Sequence, residues 1–407
     1  MQKILFSTLF SLVIGSFPST IFSQVKPGIE VLISQYQYLI EGKRVGLITN
    51  PTGVTADLRS TIDVLHNLPN VRLVALFGPE HGVRGDAFAG EKVNHSVDRK
   101  TGIPIYSLYN GPMAPPTPGM LQNIEVLIYD IQDIGSRVYT YIYTLALAMQ
   151  GAAQAGIRVV VLDRPDPLGG DLIEGPVLDE RFKSGIGMYP IPYIYGLTVG
   201  ELARFFNEEF GIHAHLTVVP MEGWQRSMHF ADTGLPWVLT SPHVPHAETA
   251  FYIAATGGIG ELQSLSTGVG YTLPFELIGQ TWIDPESLAA ELNSRNLPGV
   301  RFRPLYFRPY YFSHKDQQLA GAQIHLTNLR EFRPVLTQLH ILSALLKLNS
   351  GQQIFNPARI RSFDQAMGTD QIRFALLRGE SPDSIMASGE KDLAAYRIKR
   401  ERYLMYR

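Results

Sequence analysis

The sequence predicts an α/β protein of two unequal units, a parallel sheet flanked by helices followed by a smaller C-terminal α/β domain. Three observations predict it. Short apolar runs alternate with helical stretches from about residue 43 onward, and strands alternating with helices join by right-handed crossovers into a parallel sheet. The runs are almost continuously Val, Ile and Leu, as in strands buried on both faces. At 407 residues the chain is long for one core, so two domains are the first expectation.

Residues 1–23 stand apart. Lys3 precedes an apolar run over 4–14, and a small, polar stretch follows over 15–23. That is the pattern of a secretory signal peptide, with an apolar run too short to span a bilayer comfortably. Removal would start the mature chain near Gln24, in the periplasm or outside the cell. Beyond it no run of ~18 uninterrupted apolar residues occurs, so no membrane-spanning segment is expected after signal removal.

Residues 43–49 read as the first strand and run into Asn50-Pro51-Thr52-Gly53; 58–68 reads as a helix. Strand 71–77 runs into Gly78-Pro79-Glu80-His81-Gly82, and strand 124–129 into the polar turn Asp130 to Arg137. A long helix over 139–155 stops at Gly156, a usual C-terminal residue. Strand 157–162 ends in Asp163-Arg164-Pro165-Asp166. Thr198 and Glu201 form a capping box for a helix to about 210, and 216–220 reads as another strand. Residues 232–282, rich in Gly, Pro and Ser, show little periodicity and read as a long functional loop region. Asp284-Pro285 suits a helix cap and first turn. Strands over 300–306 and 320–326, an amphipathic helix over 335–348 and a mostly helical tail over 362–407 follow. The division expected is 24–284 for the catalytic domain and 285–407 for the smaller one.

Composition narrows the function. Lys and Arg total 35 against 37 Asp and Glu, so no basic surface points to nucleic acid. With no cysteine, disulfides, thiolate zinc sites and a cysteine nucleophile are excluded. The first strand leads into Asn50-Pro51-Thr52-Gly53 rather than G-x-G-x-x-G, and neither a P-loop nor G-x-S-x-G occurs. His243 and His246 have a metal-like spacing but sit among prolines; no metal and no cofactor is expected.

In an open parallel sheet, ligands bind beyond the carboxyl ends of the strands. Four polar turns converge there. The glycine-rich stretch 78–92 presents Glu80, Asp86 and Glu91, with His81 and Arg84. Glycosidic hydrolysis needs a carboxylic acid to protonate the leaving oxygen, and usually a second group to activate water or attack the sugar; Glu80 and Glu91 are the candidates. Either also suits a plain structural role. His81 reads equally as a general base or as a hydrogen-bonded structural histidine. Asp130, Asp133, Asp163 and Asp166 crowd the other turns. Arg84, Arg137 and Arg164 are candidate anchors for a carboxylate, which an arginine grips bidentately; the alternative is ion pairs locking adjacent loops. Tyr139, Tyr141, Trp224 and Trp237 are candidate aromatic platforms for a sugar or core residues.

The stretches GLITNPTGV, FGPEHGVRGDAFAGEKV, YDIQDIGSRVYTYIYTL, LDRPDPLGG, EGPVLD, MEGWQRSMHF, PFELIG and FDQAMGTDQIR together resemble the exo-β-N-acetylmuramidase family, long catalogued as a domain of unknown function. The resemblance covers about residues 28–407. It implies a Rossmann-like N-terminal domain, a smaller C-terminal α/β domain and a cleft between them. It also implies an exo-acting glycosidase that releases N-acetylmuramic acid from the non-reducing end of peptidoglycan fragments. By motif, the catalytic glutamate of the glycine-rich loop is Glu91 or Glu80, Glu91 slightly ahead. Asn50, Tyr139 and the strand-end acids and arginines fall in matching motifs and are expected to bind substrate. Many relatives carry Glu-Gly-Thr-Asn where this chain has Glu261-Leu262-Gln263-Ser264; Glu261 is kept, and the missing Asn bears on sugar preference. The competing reading is a non-enzymatic exported binding protein for cell-wall sugars. Crowded carboxylates favour the enzyme.

Overall fold

The computed structural model describes residues 24–85, 96–109 and 113–407. Seven strands form the large sheet: β1 (Arg44–Thr49), β2 (Arg72–Gly78), β3 (Ser96–Val97), β4 (Pro104–Ser107), β5 (Val126–Asp130), β6 (Arg158–Leu162) and β7 (His215–Val219). Their order is β3-β4-β2-β1-β5-β6-β7. Every neighbouring pair is parallel except β3 with β4. The chain leaves β1 toward β2 on one side and returns to β5 on the other, so the strand order reverses between β1 and β5. A crevice opens at such a reversal, at the strands' carboxyl ends.

Burial on both faces explains the unbroken apolar runs. Along β5, Val126 and Ile128 enter one core with Leu47 and Val160, while Leu127 and Tyr129 enter the opposite core with Ile48 and Val161. Helices α1 (Gly28–Gln35) and α2 (Thr61–His66) cover the first face. The other carries α3 (Pro118–Leu121), α4 (Tyr141–Ala155) and α5 (Val199–Glu209). Helix α4 stops at Gly156 in the left-handed conformation, φ 67°, and α5 opens on the Thr198–Glu201 capping box. Helix α2 is shorter than the periodicity suggests: Leu58 is left-handed at φ 67°, and Ser60 caps the amide of Ile62.

The second unit has an antiparallel sheet of β8 (Leu277–Gln280), β9 (Val300–Phe307) and β10 (Leu319–Leu326), in the order β8-β10-β9. Around it pack α6 (Thr249–Glu261), α7 (Pro285–Ser294), α8 (Pro334–Leu348), α9 (Ile360–Met367), α10 (Gln371–Leu377) and α11 (Pro382–Ser388). Helix α6 corrects the expectation of loop. It is buried on nearly all sides, including Phe251, Ile253, Ala254, Ala255 and Ile259, so it has no polar face to give a helical period. Its Gly258 lies so close to Gln338 on α8 and Met367 on α9 that a Cβ would strike both. Helix α6 shares the small sheet's core, although it precedes residue 285. Helix α12 (Glu390–Arg400) returns to the first unit, where Leu393 and Tyr396 join the core of Phe205 and Phe206. No helix among the described residues is long and apolar enough to cross a membrane.

Candidate active site

Three loops meet where the strand order reverses. The loop after β1 carries Asn50, the loop after β2 carries Glu80 and His81, and the loop after β5 leads through Tyr139 and Thr140 into α4. Glu80 is half-buried. The Thr140 hydroxyl donates to its Oε2 at 2.8 Å. The Tyr109 hydroxyl bonds the same carboxyl; burial, and then the Glu80 charge, push that phenol up to about 12. Two hydroxyls from separate elements therefore set the carboxyl's direction. Next to it, His81 is buried and left-handed, φ 69°, a conformation a histidine tolerates at a cost.

Asn50 Oδ1 accepts from the Thr52 amide at 3.0 Å and the Thr52 hydroxyl at 2.5 Å. Its Nδ2 is buried near the Tyr141 hydroxyl and makes no full hydrogen bond among the described residues. Tyr139 donates to Thr240 Oγ1 at 2.8 Å, and Tyr141 to the Thr240 carbonyl at 2.5 Å. Their rings meet edge to face, 4.9 Å apart. These bonds draw the segment around Thr240 over the start of α4. On that segment, His243 Nε2 lies 2.9 Å from the Tyr311 hydroxyl. Burial, and then His81 nearby, hold the His243 imidazole below its usual range.

Of the remaining expected residues, Asp130, Asp133, Asp163, Arg164 and Asp166 gather at the strand ends and are buried there. Arg164 grips Asp130 through Nε at 2.6 Å and Nη2 at 3.0 Å, and Thr61 donates to the same carboxylate at 2.5 Å. Asp163 accepts from Thr198, the Gly200 amide and Tyr406 at 2.6 to 2.7 Å, and burial raises its pKa to about 7. Burial lifts Asp133 to about 6 while it accepts from Tyr195 and the Gly135 amide. Asp166 bonds the Leu168 amide at 3.0 Å and is pushed well up by burial, with the Asp133 charge adding. Arg84 pairs with Asp98 at 2.5 Å, so the loop-locking alternative describes both it and Arg164.

Arg137, expected as an anchor, is fully buried. It donates to the Ala366 carbonyl at 3.0 Å and lies over the Tyr193 ring, while its Nε and Nη1 make no full hydrogen bond among the described residues. Glu261 pairs with Arg359 at 3.0 Å within the second unit. Of the expected aromatic platforms, Tyr141 and Trp224 are core residues. Trp237 is half-buried and donates to the Val244 carbonyl at 3.1 Å. Glu91 and Asp86 lie outside the described residues. Sequence reasoning missed Tyr109, Thr140, Thr240 and Tyr311. Thr140 had a signal, a hydroxyl at the start of a helix that follows a strand-end turn; Tyr109 and Tyr311 come from distant segments and had none.

Residues 45–248 match the family model described as exo-beta-N-acetylmuramidase NamZ, N-terminal, and residues 252–406 match its C-terminal counterpart. The chain is 47% identical over 383 residues to the peptidoglycan beta-N-acetylmuramidase NamZ of Bacillus subtilis (strain 168), covering 94% of this chain and 92% of that one. Two solved structures of DUF1343 family proteins from Bacteroides fragilis NCTC 9343 share the fold. One has a TM-score of 0.89 at 43% identity, covering 94% of this chain and 99% of that chain. The other has a TM-score of 0.75 at 27% identity, covering 95% and 99%. The loops that hold Asn50, Glu80 and Thr140 lie within the first matched region, and Tyr311 lies in the second. The chain belongs to the exo-β-N-acetylmuramidase NamZ family.

Proposed function

We propose that this protein is an exported, exo-acting glycoside hydrolase that releases N-acetylmuramic acid from the non-reducing end of peptidoglycan fragments. Family membership and identity to a named muramidase support the reaction. The observation that carries the site is Glu80, a half-buried carboxyl at the strand-order reversal, oriented by Thr140 and Tyr109. Among the buried strand-end acids, Asp130 is paired with Arg164, and Asp163 is bonded to Thr198 and Tyr406. On this reading Glu80 passes a proton to the departing glycosidic oxygen. His81 is the candidate base next to it in the chain, and Asn50 and Tyr139 are proposed to bind the sugar. Glu91 is the other carboxyl proposed for the reaction.

The test is incubation with the disaccharide of N-acetylmuramic acid and N-acetylglucosamine, followed by mass spectrometry. The two free monosaccharides are expected. An intact disaccharide that nonetheless binds in calorimetry would instead make the protein a sugar-binding module. Export rests on residues 1–23; N-terminal sequencing of secreted material should begin near Gln24, and retention of Met1 in the cytoplasm would refute it.

A further inference from the structure

The hairpin tip between β9 and β10 carries a cluster of exposed aromatic rings. Tyr310, Tyr311 and Phe312 are 45 to 62% exposed, and Tyr306, near the end of β9, is 63% exposed. Single exposed aromatics need no explanation, but these are held in place. The Tyr310 ring stacks on Tyr271 with centroids 5.6 Å apart and planes 20° apart, and its amide donates to the Gly270 carbonyl at 2.7 Å. Tyr311 stacks on His243 and shares a hydrogen bond with it. Gly270 is left-handed, φ 93°, and a Cβ there would strike the Tyr311 carbonyl. Phe312, His314 and Asp316 all have φ between 62° and 66°, so the tip is held in a costly backbone conformation.

The Tyr310 and Tyr311 rings are therefore fixed on one side and open on the other, and a ligand stacking on them costs little side-chain freedom. The tip also reaches toward the candidate active site: Tyr311 bonds His243, and His81, which follows Glu80, lies near enough to help burial lower the His243 pKa. Arg308, exposed on the same tip, adds a cation. The flat C–H face of a pyranose packs on an aromatic ring, and an arginine suits the lactyl and peptide carboxylates along a glycan strand.

We propose that this tip is the platform for the saccharide on the reducing side of the scissile bond, the leaving half of the peptidoglycan fragment. The inference rests on the muramidase reading above. An exo-acting site encloses the terminal sugar, and the rest of the strand must leave over an open surface; this tip is that surface.

The test compares wild type with the double variant Tyr310→Ala, Phe312→Ala on two substrates. One is p-nitrophenyl β-N-acetylmuraminide, which has no saccharide on the leaving side. The other is the tetrasaccharide of alternating N-acetylmuramic acid and N-acetylglucosamine. Expected is a KM for the tetrasaccharide raised about 10-fold, a loss of about 1.4 kcal/mol, with kcat/KM on the nitrophenyl substrate within about 2-fold. The variant Tyr310→Phe should retain wild-type KM on both, because the stacking face is kept. Equal losses on both substrates, or none on either, would overturn the proposal. So would a wild-type dimer that the double variant abolishes in sedimentation, since the rings would then serve subunit contact. If wild type cleaves neither substrate, the muramidase reading itself fails, a separate result.

Discussion

At Glu80 the Thr140 hydroxyl and the Tyr109 phenol decide which way the carboxyl points. A general acid contributes typically 10²–10⁴-fold. Glu80→Gln keeps an acceptor for Thr140 but has no proton to give, so kcat on the disaccharide should fall by about 10²–10⁴ with an unchanged melting temperature. Unaltered turnover would remove Glu80 from the reaction; the same measurement on Glu91→Gln ranks the two. The sequence made both legible as acids on a glycine-rich loop, because residue type and neighbouring glycines are local facts. It did not separate the half-buried acid from the acids buried in bonds within the fold. Asp163 and Asp130 look as functional in a sequence as Glu80 does, and nothing local shows that they bond Tyr406 and Arg164.

A carboxyl from a loop of the first unit caps a helix of the second. Glu174, in the loop after β6, is buried and accepts from the Val335 and Leu336 amides at 3.2 and 3.0 Å. It thereby caps the first turn of α8, where amides lack intrahelical partners. Burial raises its pKa from 4.5 to about 7. The folded state then holds a proton that the unfolded chain has already released between those values. The stability this supplies is complete below pH 4.5 and lost as pH rises through about 7. Glu174→Gln should therefore cost most near pH 4.5 and least at pH 8, in melting curves recorded across that range. A difference from wild type that does not vary with pH would refute the buried proton. Elements with caps or two-faced burial, such as α5 and β5, were readable from local pattern. Helix α6 was not, because a helix apolar on all sides has no period and its glycines read as breakers.

Across the whole molecule the C-terminal segment closes back on the first unit. Glu201 on α5 pairs with Arg226 at 2.7 Å and accepts the Met405 amide at 2.8 Å. Arg226 and Arg400 both donate to the Gly170 and Gly196 carbonyls, and Tyr396 donates to the Tyr195 carbonyl at 2.7 Å. Removing one partner of a buried ion pair costs about 3–5 kcal/mol. Arg226→Ala should lose that much in urea unfolding; a loss below about 1 kcal/mol would show that Arg400 substitutes for it. By itself the sequence determined the parallel sheet, the order of most elements, the strand-end rim and the family likeness, because these follow from short-range pattern and contiguous motifs. The tertiary structure alone decided which rim side chains are buried, and that Thr140 and Tyr109 meet Glu80, Thr240 meets Tyr139 and Tyr141, and Tyr311 meets His243. Those contacts link residues up to 101 positions apart in the chain, and no local pattern encodes a meeting that depends on how two cores pack.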